Sequence, residues 1–153
     1  MRGRVLFWTS LAVVWWLLIF IGTHMPPLGR TTSGPMAGLW KLVYQAVRIL
    51  ADAPDKVHHA VAFFGLAVFL CAAYESWRPG REWGYCFIFL AAIAYGALDE
   101  WTQAFIPYRS PDVLDWFADA GGAALGVGVA FLFAASRRSA SAAALASAEV
   151  RTR

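Results

Sequence analysis

Four apolar stretches, each close to 20 residues long, constrain this chain more than any other feature. They occupy residues 5–21, 57–74, 83–101 and 113–135. A membrane's hydrocarbon core is about 30 Å thick, and a helix needs roughly 20 residues to cross it. Inside that core only helices and closed barrels satisfy their own backbone groups. Four runs of this length specify helices, so the expected fold class is all-α: a polytopic, four-transmembrane-helix bundle. Composition supports this. The chain is 59% hydrophobic and 15% charged, against roughly 45–50% and about 25% in a soluble domain. A soluble domain of 153 residues leaves too much surface in water to hide four such blocks. The composition argues against a soluble globular enzyme, a disordered chain and a nucleic-acid module.

The first stretch follows Arg2 and Arg4 and competes with a signal-peptide reading. It is long for a signal h-region, and no small-x-small cleavage site follows it, only Gly22-Thr23-His24-Met25-Pro26-Pro27. It reads as a retained transmembrane helix. Residues 22–55 begin with turn formers (Pro26, Pro27, Gly29, Ser33, Gly34, Pro35) and then turn periodic. Lys41, Gln45, Arg48 and Asp52 form a polar stripe, and Leu39, Val43, Val47 and Leu50 occupy another face. This predicts an amphipathic interfacial helix in the first outer loop, or a short cap packed on the bundle. The Ala/Ser-rich end has no apolar stripe. It divides the chain into a membrane domain, 1–136, and a flexible cytoplasmic tail, 137–153, frayed or weakly helical. Cys71 and Cys86 lie inside apolar blocks and read as small buried hydrophobes.

Basic residues set the expected orientation. Arg2, Arg4, Arg78, Arg81, Arg137, Arg138, Arg151 and Arg153 fall on one side of four crossings. Arg30, Lys41, Arg48, Lys56 and Arg109 fall on the other. The positive-inside rule then puts both termini in the cytoplasm. On that topology one end is chemically rich: Asp52, Asp55, Asp99, Glu100, Asp112, Asp115 and Asp119 all lie on the outer side. His59, Gln103, Lys56 and Arg109 join them.

Spacing predicts that these residues converge. Asp55 and His59 are four apart and share a helix face, as do Asp99 and Gln103. Asp112, Asp115 and Asp119 make one stripe, which continues as Gly122 and Gly126. Small residues let membrane helices approach closely, so the carboxylates on that side point into the bundle. The Gly122/Gly126 face could serve an oligomer but fits packing within the bundle better. For Asp112 and Asp115 a bland role is available: carboxylates complementing the helix dipole, salt-bridged to Lys56 or Arg109. Asp119 lies about 6 Å deeper than Asp115, where a carboxylate is costly unless paired or wet. His59, Asp99 and Asp119 are the candidate catalytic residues. Asp55, Lys56, Glu100, Gln103, Arg109, Ser110, Asp112 and Asp115 are candidates for ligand binding, with Ser110 also expected to cap the fourth helix. A divalent cation is a possible cofactor, with His59, Asp99, Asp115 and Asp119 as candidate ligands. No HExxH or cysteine pair specifies a metal geometry.

Three patches resemble the VanZ-like family of small bacterial membrane proteins. They are Asp55-Lys56-x-x-His59-x-x-x-Phe63; Asp99-Glu100-x-x-Gln103 followed by Pro107 and Arg109-Ser110; and Asp112-x-x-Asp115-x-x-x-Asp119-x-x-Gly122. The resemblance covers roughly residues 50–130. At Asp119 the family more often carries Asn. The resemblance implies a multi-helix protein of the bacterial inner membrane, whose name-giving relative is associated with low-level teicoplanin resistance; it supplies no reaction. Three functions compete. The first is a site for an envelope lipid or lipid-linked phosphate ligand, walled by Trp101, Phe105, Tyr108, Trp116 and Phe117. The second is a structural or regulatory partner of a larger membrane complex. The third is a small proton-linked transporter, which suffers because polar residues stop at Asp119.

Overall fold

The computed structural model describes residues 2–24, 38, 54–106 and 109–151. The stretch expected to form the amphipathic interfacial helix, together with Pro107 and Tyr108, lies outside the described residues. Among the described residues four helices carry the fold: α1 (Arg2–His24), α2 (Asp55–Trp77), α3 (Trp83–Gln103) and α4 (Val113–Arg151). There is no strand among the described residues. Each helix begins within three residues of its apolar stretch, since backbone groups in an apolar setting are satisfied only by helical hydrogen bonds.

Helices α1, α2 and α4 are long and apolar enough to cross a membrane. Helix α3 has comparable length, 21 residues, but its last turns carry Asp99, Glu100 and Gln103, which lower its hydropathy. The helices alternate in direction. The end of α1, the start of α2, the end of α3 and the start of α4 meet at one end of the bundle.

Helix α2 is the hub, packing on all three others and most extensively on α4. The reason is the small-residue stripe. A Cβ added at Gly122 would collide with the backbone carbonyl of Ala60, and one at Gly126 would lie 2.5 Å from Phe64 O. The two backbones therefore touch, and these glycines are used inside the bundle. Helix α1 is fixed to α2 by Trp15, whose indole Nε1 donates to Ala62 O at 2.8 Å. Its ring lies where a Cβ at Gly65 would stand. Phe63, Leu66, Ala67, Ala92 and Ala123 form the buried apolar floor beneath the polar end.

At the opposite end, Glu75 joins three helices. It accepts from Arg138 Nη1 at 3.0 Å and from Tyr85 Oη at 3.1 Å. Its Oε1 also accepts the N–H of Gly80, whose φ of 76° makes the tight α2–α3 turn. The segment after Arg138 is helix to Arg151, the helical alternative of the two expected, with every side chain from Ser139 exposed; alanine's high helix propensity sustains it without packing. Cys71 is buried as expected, but Cys86 is exposed, because it lies on the outward face of α3.

Candidate functional site

The polar residues at the shared helix ends form one connected, buried network. Asp119 is fully buried, Asp99 is 1% exposed and Gln103 3%; His59, Glu100 and Asp115 are each below a tenth. His59, one turn into α2, faces the start of α4 because Ala60 behind it rests on Gly122. Its Nδ1 is 2.9 Å from Asp119 Oδ1 and 4.0 Å from Glu100 Oε1. Its Nε2 is 3.9 Å from Asp115 Oδ2. Lys56 Nζ donates to Asp115 Oδ1 and Asp112 Oδ2, both at 2.9 Å. Asp55 is exposed at the rim, with a carboxylate oxygen within 4.8 Å of His59 and Asp115.

Asp119 presses against α3 at Gly96, where an added Cβ would lie 3.0 Å from Asp119 Oδ2 and 3.4 Å from the Phe63 ring. Glycine at 96 makes room for the carboxylate. Asp119 Oδ1 is taken by His59, while Oδ2 is buried and has no hydrogen-bond partner among the described residues. Glu100 is locked by Asp112, whose N–H donates to Glu100 Oε2 at 2.8 Å, and by Gln103 Nε2 at 3.5 Å from Oε1. The capping expectation changes: Asp112, not Ser110, caps α4. Asp112 Oδ1 accepts the Leu114 N–H at 2.8 Å, the N-cap geometry, whereas Ser110 is exposed and two residues too early. The Lys56 ammonium, together with the Leu114 N–H, holds the Asp112 carboxyl below the ordinary carboxylate range.

Asp99 makes its direct contacts on another side. Its Oδ2 accepts from Gln103 Nε2 at 3.0 Å, and its Oδ1 accepts from Thr23 Oγ1 at 3.0 Å. His24 Nδ1 is 3.7 Å away, and Tyr95 Oη is 3.5 Å away. His24 in turn reaches Thr102 Oγ1 at 2.8 Å through Nε2. The residues expected to act with His59 therefore separate into two layers. His59, Asp119, Glu100 and Asp115 lie between α2, α3 and α4, and Asp99 ties α3 to α1. Gln103 bridges the layers. Thr23, His24 and Tyr95 were not singled out by the sequence. Their signal was a Thr-His pair ending an apolar run, and a Tyr four residues before Asp99.

The aromatic wall is also revised. Trp101, Phe105 and Phe117 are 63%, 71% and 59% exposed, so they face outward around the site rather than lining it. Trp116 donates its indole N–H to Ile93 O at 3.1 Å. Arg109 sits at the rim, donating from Nη2 to Gly22 O at 3.0 Å; its buried Nε has no partner among the described residues.

Below the Asp99 layer an apolar groove opens between α1, α2 and α3. Its volume is about 370 Å³, and Ala12, Trp16, Leu66, Leu70, Ala91 and Tyr95 are among its lining residues. Tyr95 belongs to both features, because its ring lines the groove and its hydroxyl meets Asp99. Chemically, the site offers an imidazole poised against a carboxylate, three further buried acids, and two cations at the rim.

A family model described as VanZ/LLP1 matches residues 7–134, from the first turns of α1 to the inner part of α4. No curated protein matches the chain, and no solved structure does.

Proposed function

Taking as premise that the chain belongs to the VanZ/LLP1 family, we propose that it is a four-span protein of the bacterial inner membrane that binds, or acts on, an envelope lipid or lipid-linked phosphate. Both termini are cytoplasmic in this reading, and the polar network faces outward. The observation that carries it is Tyr95, shared by an apolar groove and a polar network. A lipid has the same two parts in the same order. Its chain would lie in the groove against Trp16 and Leu70, and its headgroup would reach the helix ends. Lys56 and Arg109 are the cations there, and Arg109 keeps an Nε donor with no partner among the described residues, which could meet a phosphate oxygen. The exposed ring of Trp101, Phe105 and Phe117 suits the headgroup level. A teicoplanin-tolerance role of the family type follows if that lipid is an envelope precursor.

One observation favours a second reading, a purely structural fastener: the network touches all four helices and leaves few polar atoms unpaired. A relay across the membrane has less support. Beneath Asp119 the buried positions of α4 are Gly122, Ala123, Gly126 and Ala134, which carry no proton. Filling the groove separates the first two readings. Ala91→Trp places an indole in the groove from an exposed position of α3 and leaves the polar network intact. The lipid reading expects normal detergent melting and loss of glycopeptide tolerance in cells. Wild-type tolerance in a folded Ala91→Trp protein would contradict it.

A further inference from the structure

We propose that His59, Glu100 and Asp119 form a binding site for a single first-row divalent cation, of the class of Zn²⁺ or Mn²⁺. One ligand atom from each of the three lies within 4.8 Å of the others, and all three side chains are buried. Two tetrahedral ligands of one ion bonded at about 2.0–2.2 Å stand roughly 3.3–3.6 Å apart. His59 Nδ1 and Asp119 Oδ1 stand at 2.9 Å and Glu100 Oε1 is 4.0 Å from the same nitrogen, so each pair needs to move by only about half an ångström. The ion would replace the proton now shared between Nδ1 and Oδ1. A second, independent observation points to a ligand. Asp119 Oδ2 is fully buried against Gly96, one helical turn below Glu100, and no donor among the described residues meets it. A buried carboxylate oxygen without a partner is costly, and a cation held by both oxygens of the Asp119 carboxylate would supply what it lacks.

Charge makes the same argument. Glu100 and Asp119 are two buried carboxylates facing one imidazole. A protonated His59 balances one of them; a divalent cation with a neutral His59 balances both. The imidazole–carboxylate donor set suits Zn²⁺ and Mn²⁺ rather than Ca²⁺ or Mg²⁺, which prefer all-oxygen shells. The outer contacts are of the kind that orient a ligating histidine. With Nδ1 on the ion, Nε2–H is left free for Asp115 Oδ2, which at 3.9 Å needs to close by about 1 Å to accept it; Asp115 is itself held by Lys56 at 2.9 Å. Glu100 is fixed from behind by the Asp112 N–H. The alternative triad of Asp55, His59 and Asp115 uses Nε2 and is more open. An ion there would compete with the Lys56 ammonium already on Asp115, so the buried triad is preferred.

The inference does not rest on the lipid reading, because the ion site needs no lipid. The test uses the full chain in detergent or nanodiscs, stripped with a chelator, and Zn²⁺ or Mn²⁺ alone. Calorimetry should find one Zn²⁺ per chain, with a rise in melting temperature that Ca²⁺ and Mg²⁺ do not produce. Asp119→Asn, Glu100→Gln and His59→Gln should each weaken Zn²⁺ binding at least about 100-fold, and Asp115→Asn about 10–100-fold. Should a variant fail to fold, pulsed electron paramagnetic resonance on Mn²⁺-loaded wild type decides the matter, with coupling to one imidazole nitrogen expected. Absence of that coupling, or of stoichiometric binding, would overturn the proposal. So would binding that survives Glu100→Gln and Asp119→Asn but disappears with Asp115→Asn, since that would move the ion to Nε2.

Discussion

Gly122→Ala should destabilise the bundle, whereas the same change one residue earlier, at Gly121, should not. The new methyl at 122 would strike the Ala60 carbonyl oxygen and stand 2.8 Å from Ala60 C and Cα. Carbon–carbon contacts settle near 3.5–4.0 Å, so α2 and α4 would have to part by about 1 Å. The obstacle is backbone, so no rotamer change relieves it. Overpacking of this kind costs about 1–3 kcal/mol. Alanine's helical preference over glycine returns roughly 0.5–1 kcal/mol, so a clash with rigid backbone, in the upper part of that range, leaves a net loss of about 1–2 kcal/mol. Gly121 and Gly128 have nothing within 4 Å, so their alanine variants keep the gain and pay no clash. In a detergent melting assay, Gly122→Ala should fall roughly 2–8 °C below wild type. Gly121→Ala and Gly128→Ala should match or exceed wild type. Parting the helices also stretches the 2.9 Å contact between His59 and Asp119, which flank this crossing. A Gly122→Ala protein that melts with or above Gly121→Ala would refute backbone contact between α2 and α4.

Three further outcomes follow from the same contacts. Asp112 has its carboxyl lowered by Lys56, so the stability it contributes is present above the ordinary carboxylate pKa and is lost as pH falls through the lowered value. The melting gap between wild type and Asp112→Asn should therefore be open at neutral pH and close in acid; a gap that widens in acid would contradict the pairing. In protein stripped of metal, His59→Gln keeps shape and a donor for Asp119 and should melt normally. Asp99→Asn weakens charge-assisted bonds to Thr23 and Gln103 and should cost about 1–3 kcal/mol. Equal melting losses would mean that the two layers are one fastener. Single cysteines at Ser110 and Ser139, in a Cys71→Ala, Cys86→Ala background, should differ on whole cells: an impermeant thiol reagent should label position 110 and spare 139, and the reverse pattern would invert the topology.

The helices were legible because a bilayer leaves few choices: a run of about 20 apolar residues has one way to satisfy its backbone. That α4 packs closely within the bundle through its small-residue face was legible as well, since Ala118, Gly122, Gly126 and Ala130 repeat every fourth residue; that this face meets α2 comes from the structure. What spacing along one helix cannot give is which neighbouring helix a side chain meets. Asp99 and Glu100 are adjacent and diverge by about 100° around α3. One turns to Thr23 on α1 and the other to His59 on α2. Of the two, Glu100 rather than Asp99 is the carboxylate beside His59. Thr23 and His24 carried no motif, and only the approach of α1 to α3 reveals them. The Asp112 cap was obscured by Ser110, an equally good capping residue placed two positions before the true N-cap.

The central claim, that a lipid lies in the groove with its headgroup at the polar network, is tested most directly by photo-crosslinking in native membranes. A benzophenone amino acid is placed at Ala91, which lines the groove, and in a separate protein at Leu125, which is 67% exposed on α4. Mass spectrometry then identifies what each has captured. The account predicts one enriched phosphate-bearing lipid at Ala91 and the bulk lipid mixture at Leu125. The same bulk mixture at both positions would contradict it.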